Sequence, residues 1–260
     1  MKLSIIMTVF NRRRQFLTTL RSIRLTQYPH DDFEVRVIDD GSDSDQRVGD
    51  LIGEFGFPIY LKEIRPSEKR WQEPIALINQ EVRESNGEIV IYQNGECCHV
   101  GDVISYAVEN TKKGTYLAFA CFNVTQELST RIDSLDQIDR QAVLDIVGNP
   151  PKVIGRAWMR GGAWLYNHSV QRPVGYYFCA SFMKEDYLAL GGIDERFQYG
   201  IHYADNEFLD RIRKKMELIF VDDPFVVHQY HTPFLRSRDN YRRLKFRNNR
   251  LYGRIQAETA

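Results

Sequence analysis

Within its first hundred residues the chain repeats one unit. A short apolar run ends abruptly in polar residues, and a stretch with apolar residues on helical spacing follows. The apolar runs cover residues 3–9, 33–38, 58–64 and 89–92. Between them, residues 13–25 carry Phe16, Leu17, Leu20 and Ile23 three to four apart, 47–55 read as a second helix, and 74–84 carry Ala76, Leu77, Ile78 and Val82. Strand and helix periods alternating in this way predict a βαβαβαβ order, hence an α/β fold with a doubly wound, mainly parallel central sheet and a Rossmann-like nucleotide half. Ligands of such sheets sit beyond the carboxyl ends of the strands. The tips "TVFN", "DDGSD" and "QNGE" therefore belong on one rim.

Bulk properties narrow the function classes. The 260 residues have room for one large domain, and Lys plus Arg equals Asp plus Glu at 35 each, which argues against an electrostatic nucleic-acid binder. The four cysteines form no C-x-x-C pair, and Cys97 and Cys98 would point to opposite faces of a strand. That pattern speaks against a disulfide framework or a zinc site and fits a reducing compartment. The opening "MKLSIIMTVFNRRR" has too short an apolar run for a signal peptide, and no stretch reaches the roughly 20 apolar residues of a membrane span. A cytoplasmic protein is expected.

Beyond residue 100 the pattern predicts a helix over 103–111, a strand over 115–124, mixed helical spacing over 127–146, a loop at 148–152 and a glycine-hinged aromatic loop over 160–168. Residues 176–231 end in a strand closing on "FVVHQYH". After residue 231 come eight Lys or Arg against two acids, with Tyr241, Leu244, Leu251 and Ile255 able to line one helix face. Either this is a solvated helix packing back on the domain, or it meets an anionic acceptor, a partner or a membrane surface peripherally. The division expected is a domain over 1–235, with a nucleotide half over 1–100 and an acceptor half over 101–235, and a basic helical tail over 236–260.

The rim residues suggest chemistry. Backbone groups of Thr8, Val9 and Phe10, with Asn11, can hold a base and ribose. Arg12 or Arg13 can face a diphosphate, and the acids of "VIDDGSD" can accept from a base imide or a ribose hydroxyl. The stretches "SIIMTVFNR", "LRSIRLTQ", "VRVIDDGSDSD" and "ALINQEVRESNGEIVIYQNGE", in that order, resemble the GT-A glycosyltransferases close to family 2. The likeness extends in order to about residue 231. It implies a nucleotide-diphosphate sugar donor, UDP-linked, a glycan or glycoconjugate acceptor, and a divalent metal, Mn²⁺ or Mg²⁺.

Residue roles follow by position. Asp40 would meet the base. The family's D-x-D metal motif falls on Asn94 and Glu96, so one carboxylate is replaced by an amide: Glu96 keeps the charge, and Asn94 keeps an oxygen for a ribose hydroxyl. His228, in the first position after the last core strand, is the expected additional metal ligand, with His231 second. The segment "LGGIDERFQYGIHYADNEFLDRIRKK" resembles the family's acceptor segment and places the general base of an inverting transfer on Asp205, with Glu207 as second choice. A carboxylate in a first helical turn is held ionised by amides and dipole. Trp71, Trp164, Asn167 and His168 are candidate walls or hydrogen-bonding groups for donor sugar or acceptor. The alternative is a non-catalytic nucleotide-sugar or glycan binding module with a degenerate D-x-D site.

Overall fold

The computed structural model describes residues 1–53, 55–148, 178–232 and 237–259, and the backbone of four short strands between 159 and 173. The elements are β1 (Leu3–Val9), α1 (Arg13–Ile23), β2 (Phe33–Asp39), β3 (Ile59–Glu63), α2 (Ile75–Glu84), β4 (Ile89–Asn94), β5 (Cys97–Val100), α3 (Val103–Asn110) and β6 (Thr115–Val124). Then come α4 (Gln126–Asp133), α5 (Arg140–Val147), β7 (Met159–Arg160), β8 (Ala163–Tyr166), β9 (His168–Ser169), β10 (Arg172–Pro173), β11 (Cys179–Met183), α6 (Lys184–Ala189), α7 (Ala204–Lys215), β12 (Glu217–His228) and α8 (Arg238–Thr259).

The main sheet runs β3-β2-β1-β4-β11-β6-β12-β5. Its first four strands pair in parallel, as expected. Beyond them the sheet is mixed: β11 is antiparallel to both β4 and β6, β5 is antiparallel to β12, and β12 is parallel to β6. The parallel half comes from βα crossovers, whereas β5 follows β4 after two residues, too few for a crossover.

Period-two burial explains why the strands hold a fixed face. Leu3, Ile5, Met7 and Val9 of β1 and Ile89 and Ile91 of β4 enter one core with Phe16, Leu20 and Ile23 of α1. Ile6, Val90 and Tyr92 face the other side, onto Ile78 and Val82 of α2 and Phe208 and Leu209 of α7. A one-residue slip would exchange the two sets.

Two expectations change. Among the described residues of 47–55 the one helical element is a single 3₁₀ turn, Gly49–Leu51. Gly49 and Gly53 raise the entropy cost of a helix there, while Val48 and Phe55 are still buried in the core. The aromatic segment expected as a loop contains β8, which pairs with β6.

The basic tail is α8, and it does pack back. Leu244, Asn248 and Leu251 are buried, whereas Tyr241 is exposed. Among the described residues no helix is long and apolar enough to cross a membrane.

Candidate active site

The three expected tips do meet. Asp40 N–H donates to Val9 O and Gly95 N–H to Thr8 O, tying the ends of β2 and β4 to the end of β1. Gly95 is needed for this approach: a Cβ there would lie 2.6 Å from Val9 Cγ2 and 2.9 Å from Thr8 O. Gln93, fully buried, braces the same β4–β5 turn, with Nε2 donating to Cys97 O and Oε1 facing His99 Nε2 at 2.7 Å.

Asn11 takes a left-handed backbone (φ 52°), which Asn tolerates better than most residues. Its side chain donates to Asp43 Oδ2 and accepts from Asp43 N–H, and its own N–H donates to Ser42 Oγ. Asn11 therefore stitches two rim loops together, and its amide is spent on them rather than left for a nucleotide.

Two cavities open on this rim. The larger, about 450 Å³, is lined by Phe10, Asp40, Gly41, Asp43, Lys69 and Trp71 among others. Asp40 is closely held: Lys69 Nζ donates to Oδ2 and Trp71 Nε1 to Oδ1, each at 2.6 Å, and the Lys69 ammonium sits 4.2 Å from the Phe10 ring centroid. Burial pushes the Asp40 carboxyl up, against the pull of Lys69 and Trp71. Trp71 thus stands at the Asp40 end of the rim. Lys69 was not foreseen; its only signal was a cation two residues before that tryptophan.

The smaller cavity, about 270 Å³, is lined by Thr8, Glu73, Tyr92, Asn94, His202 and Asp205, together with apolar residues. Asn94 and Asp205 therefore share one wall, although 111 positions apart. Asp205 lies in the first turn of α7, after His202 and Tyr203, both left-handed (φ 61° and 70°). Burial raises its carboxyl above the ordinary value, partly offset by backbone N–H groups of that turn. The expected first-turn amides are present, and burial outweighs them. A raised carboxylate is the better proton acceptor.

The strained turn is braced from α8. Asn248 Nδ2 donates to Phe197 O and His202 O, both at 2.9 Å, and its amide packs where a Cβ on Gly200 would stand 2.2 Å from Oδ1. Asn248 was missed because a polar residue in a polar helix carries no signal. Glu207, the second choice of base, is buried in a bidentate pair with Arg211, both contacts 2.6 Å.

Glu96 follows Asn94 across the turn and meets two histidines. His228 Nε2 and His231 Nε2 each lie 3.4 Å from Glu96 Oε1, and one ligand atom from each of the three fits within 4.8 Å of the others. Burial would raise the Glu96 carboxyl, but the two histidines outweigh it and hold it well below the usual carboxylate range. One carboxylate and two imidazoles suit a divalent cation, and the nitrogen content suits Mn²⁺ better than Mg²⁺.

The histidine segment is anchored to α1 by Gln229. This residue is fully buried, its N–H donates to Glu96 O, and its Nε2 lies within hydrogen-bond reach of Gln15 O and Glu96 O. Arg12 rather than Arg13 completes the cluster. Arg12 Nη2 donates to His231 Nδ1 at 2.7 Å, and its buried Nε has no hydrogen-bond partner among the described residues. Arg13 forms a bidentate pair with Asp50, at 2.5 and 2.6 Å, and so turns away from the cluster. Asn167 and the side chains of Trp164 and His168 lie outside the described residues.

With this geometry in place, comparison with known proteins gives the relationship. The model of Glycosyl transferase family 2 matches residues 4–170. The chain belongs to that family. No curated protein sequence matches it.

Among solved structures, S. aureus TarS 1–349 in complex with UDP-GlcNAc superposes with a TM-score of 0.60 at 12% identity, covering 94% of this chain and 64% of that one. The mannosyltransferase PcManGT from Pyrobaculum calidifontis, in complex with GDP-Man and Mn²⁺, gives 0.55 at 16% identity over 89% and 58%. GalNAc-T7 with UDP, GalNAc and Mn²⁺ gives 0.57 at 15% identity over 94% and 47%. The fold of this family 2 chain is thus GT-A, and it spans about half to two thirds of the length of these neighbours.

Proposed function

We propose that the chain transfers a sugar from a nucleotide-diphosphate donor, UDP-linked, to a hydroxyl of a glycan or glycoconjugate, with inversion at the anomeric carbon. The observation that supports this most is the shared cavity of Asn94 and Asp205, with Asn94 two residues before Glu96 of a Glu96–His228–His231 cluster that can hold a cation. Structural neighbours solved with UDP-GlcNAc, or with GDP-Man and Mn²⁺, favour a nucleotide-sugar donor.

In this reading the base and ribose lie along the Phe10–Asp40–Trp71 cavity and the diphosphate faces Arg12. Asp205 takes the proton of the acceptor hydroxyl. The acceptor oxygen bonds to the anomeric carbon as the bond to the diphosphate oxygen breaks, and the nucleoside diphosphate leaves with that electron pair. A divalent cation held by Glu96 and His228, with His231 beside them, would supply positive charge next to the departing diphosphate.

Release of UDP from UDP-sugars in the presence of Mn²⁺ tests this directly. Turnover that disappears in Glu96→Ala is expected. Tight UDP binding with no turnover toward water or any acceptor would instead select the non-catalytic binding module.

A further inference from the structure

Seven of the arginines and lysines lie on α8, against two acids, in a chain that is neutral as a whole. Leu244, Asn248 and Leu251 face inward, and the cations occupy the outward positions around them. Among the described residues none of the seven is in an ion pair. Phe246, at 60%, is the most exposed of the large hydrophobics among the described residues, and it sits among these cations with Arg250 5.8 Å from its ring centroid.

A groove of about 520 Å³ separates α8 from Tyr203 and is lined by Tyr241, Arg242, Lys245 and Phe246 among others. Tyr203 runs directly into Ala204 and Asp205, which line the smaller rim cavity. His202, from that same cavity, meets the Tyr241 hydroxyl at 2.9 Å. The groove and the Asp205 cavity therefore share the His202–Tyr203 turn as a common wall.

We propose that this groove seats the acceptor and that the acceptor is an anionic glycan chain. Sugar rings pack their C–H faces on Tyr203, Tyr241 and Phe246, and carboxylate or phosphate groups of the chain meet Arg242 and Lys245. The proposal rests on the reading of Asp205 as the base that deprotonates an acceptor hydroxyl. A bilayer fits this face less well. A helix lying on a membrane presents its apolar stripe outward, whereas that of α8 is turned into the protein and the exposed aromatics line a concavity that ends at Tyr203, beside the turn that carries Asp205. Unpaired cations at such a concavity attract and orient an anionic partner at little desolvation cost.

Binding of the full chain to polygalacturonate, inorganic polyphosphate and neutral dextran, followed by fluorescence anisotropy at low ionic strength, tests this. Polygalacturonate is expected to bind and neutral dextran not. The double variant Arg242→Glu/Lys245→Glu should weaken polygalacturonate roughly tenfold or more. Phe246→Ala should weaken polygalacturonate more than polyphosphate, which offers charge without sugar rings. Stabilisation of each variant by UDP with Mn²⁺ should stay as in the unmodified protein, which also verifies folding.

Equal affinity of the double variant, or equal binding of neutral dextran, overturns the proposal. So does pull-down by phosphatidylglycerol vesicles without polygalacturonate binding, which would give the face to a membrane. Charge-dependent glycan binding by a protein that neither binds nor turns over a donor upholds this surface and sinks the donor reading alone.

Discussion

Arg12 donates a hydrogen bond from Nη2 to Nδ1 of His231 at 2.7 Å. An arginine has no acceptor atom, so Nδ1 of His231 must offer its lone pair. The ring proton of a neutral His231 is then on Nε2, the nitrogen facing Glu96. A neutral imidazole that ligates a cation through Nε2 carries its proton on Nδ1, which this contact with Arg12 opposes. His228 is under no such constraint from Arg12.

The two histidines should therefore differ. In a Mn²⁺ titration followed by electron paramagnetic resonance, His228→Ala should weaken the ion by roughly ten- to a hundredfold, and His231→Ala by clearly less. Equal losses would mean that Arg12 lets go when the ion arrives.

Asp205→Asn keeps the shape of the first turn of α7 but not its basicity. Transfer should fall by roughly 10² to 10⁴ in kcat, with UDP affinity unchanged. Because burial raises the Asp205 carboxyl, and only its ionised form accepts a proton, kcat/KM should rise with pH and level off above the ordinary carboxylate value of about 4. Full activity in the variant would move the base elsewhere.

Gly95→Ala pushes a methyl against Val9 Cγ2 and Thr8 O. Relieving the clash means parting the β1 and β4 tips, so stability in urea should drop by about 1–3 kcal/mol. Mn²⁺ affinity should fall as well, because Glu96 is the next residue. An unchanged urea midpoint would show that the turn can shift freely.

His99 connects the fold to acidity. It is fully buried, and burial lowers its pKa to about 4, with the Asp102 carboxylate pulling the other way. The unfolded chain binds a proton there near 6.5 while the folded one does not, so stability is lost as pH falls from about 6.5 toward 4. This one group accounts for about 2–3 kcal/mol over that window. His99→Gln, which keeps an amide for Gln93, should flatten the slope of unfolding free energy against pH. The same slope in both proteins would assign the acid sensitivity to other groups.

Much of this was legible in the primary structure, for a physical reason. Apolar alternation in β1, β2 and β4 fixes which face each strand buries, and polar tips on parallel strands collect at one edge. That brought Asp40, Asn94 and Glu96 to one rim, and the helix start at Ala204 put Asp205 in a first turn. The choice between Arg12 and Arg13 was not legible. The two are adjacent at the start of α1, and which one points into the site depends on where the loop carrying Asp50 falls. For Glu207 a signal did exist: Arg211 lies four residues on, the spacing at which a helix pairs opposite charges. Gln229 and Asn248 gave none, because each acts through partners far away in sequence.

The clasp made by Gln229 has a consequence for how the protein comes into being. The carbonyls of Gln15 and Glu96 that it reaches belong to the first hundred residues, whereas Gln229 and its flanking histidines lie more than 130 positions later. A chain emerging from the ribosome can pair β1 to β4 once its first hundred residues are out, but it must wait for residue 231 before both histidines reach Glu96. The Glu96–His228–His231 cluster is thus complete only after that late segment has been made, and it comes apart if the segment carrying the two histidines detaches.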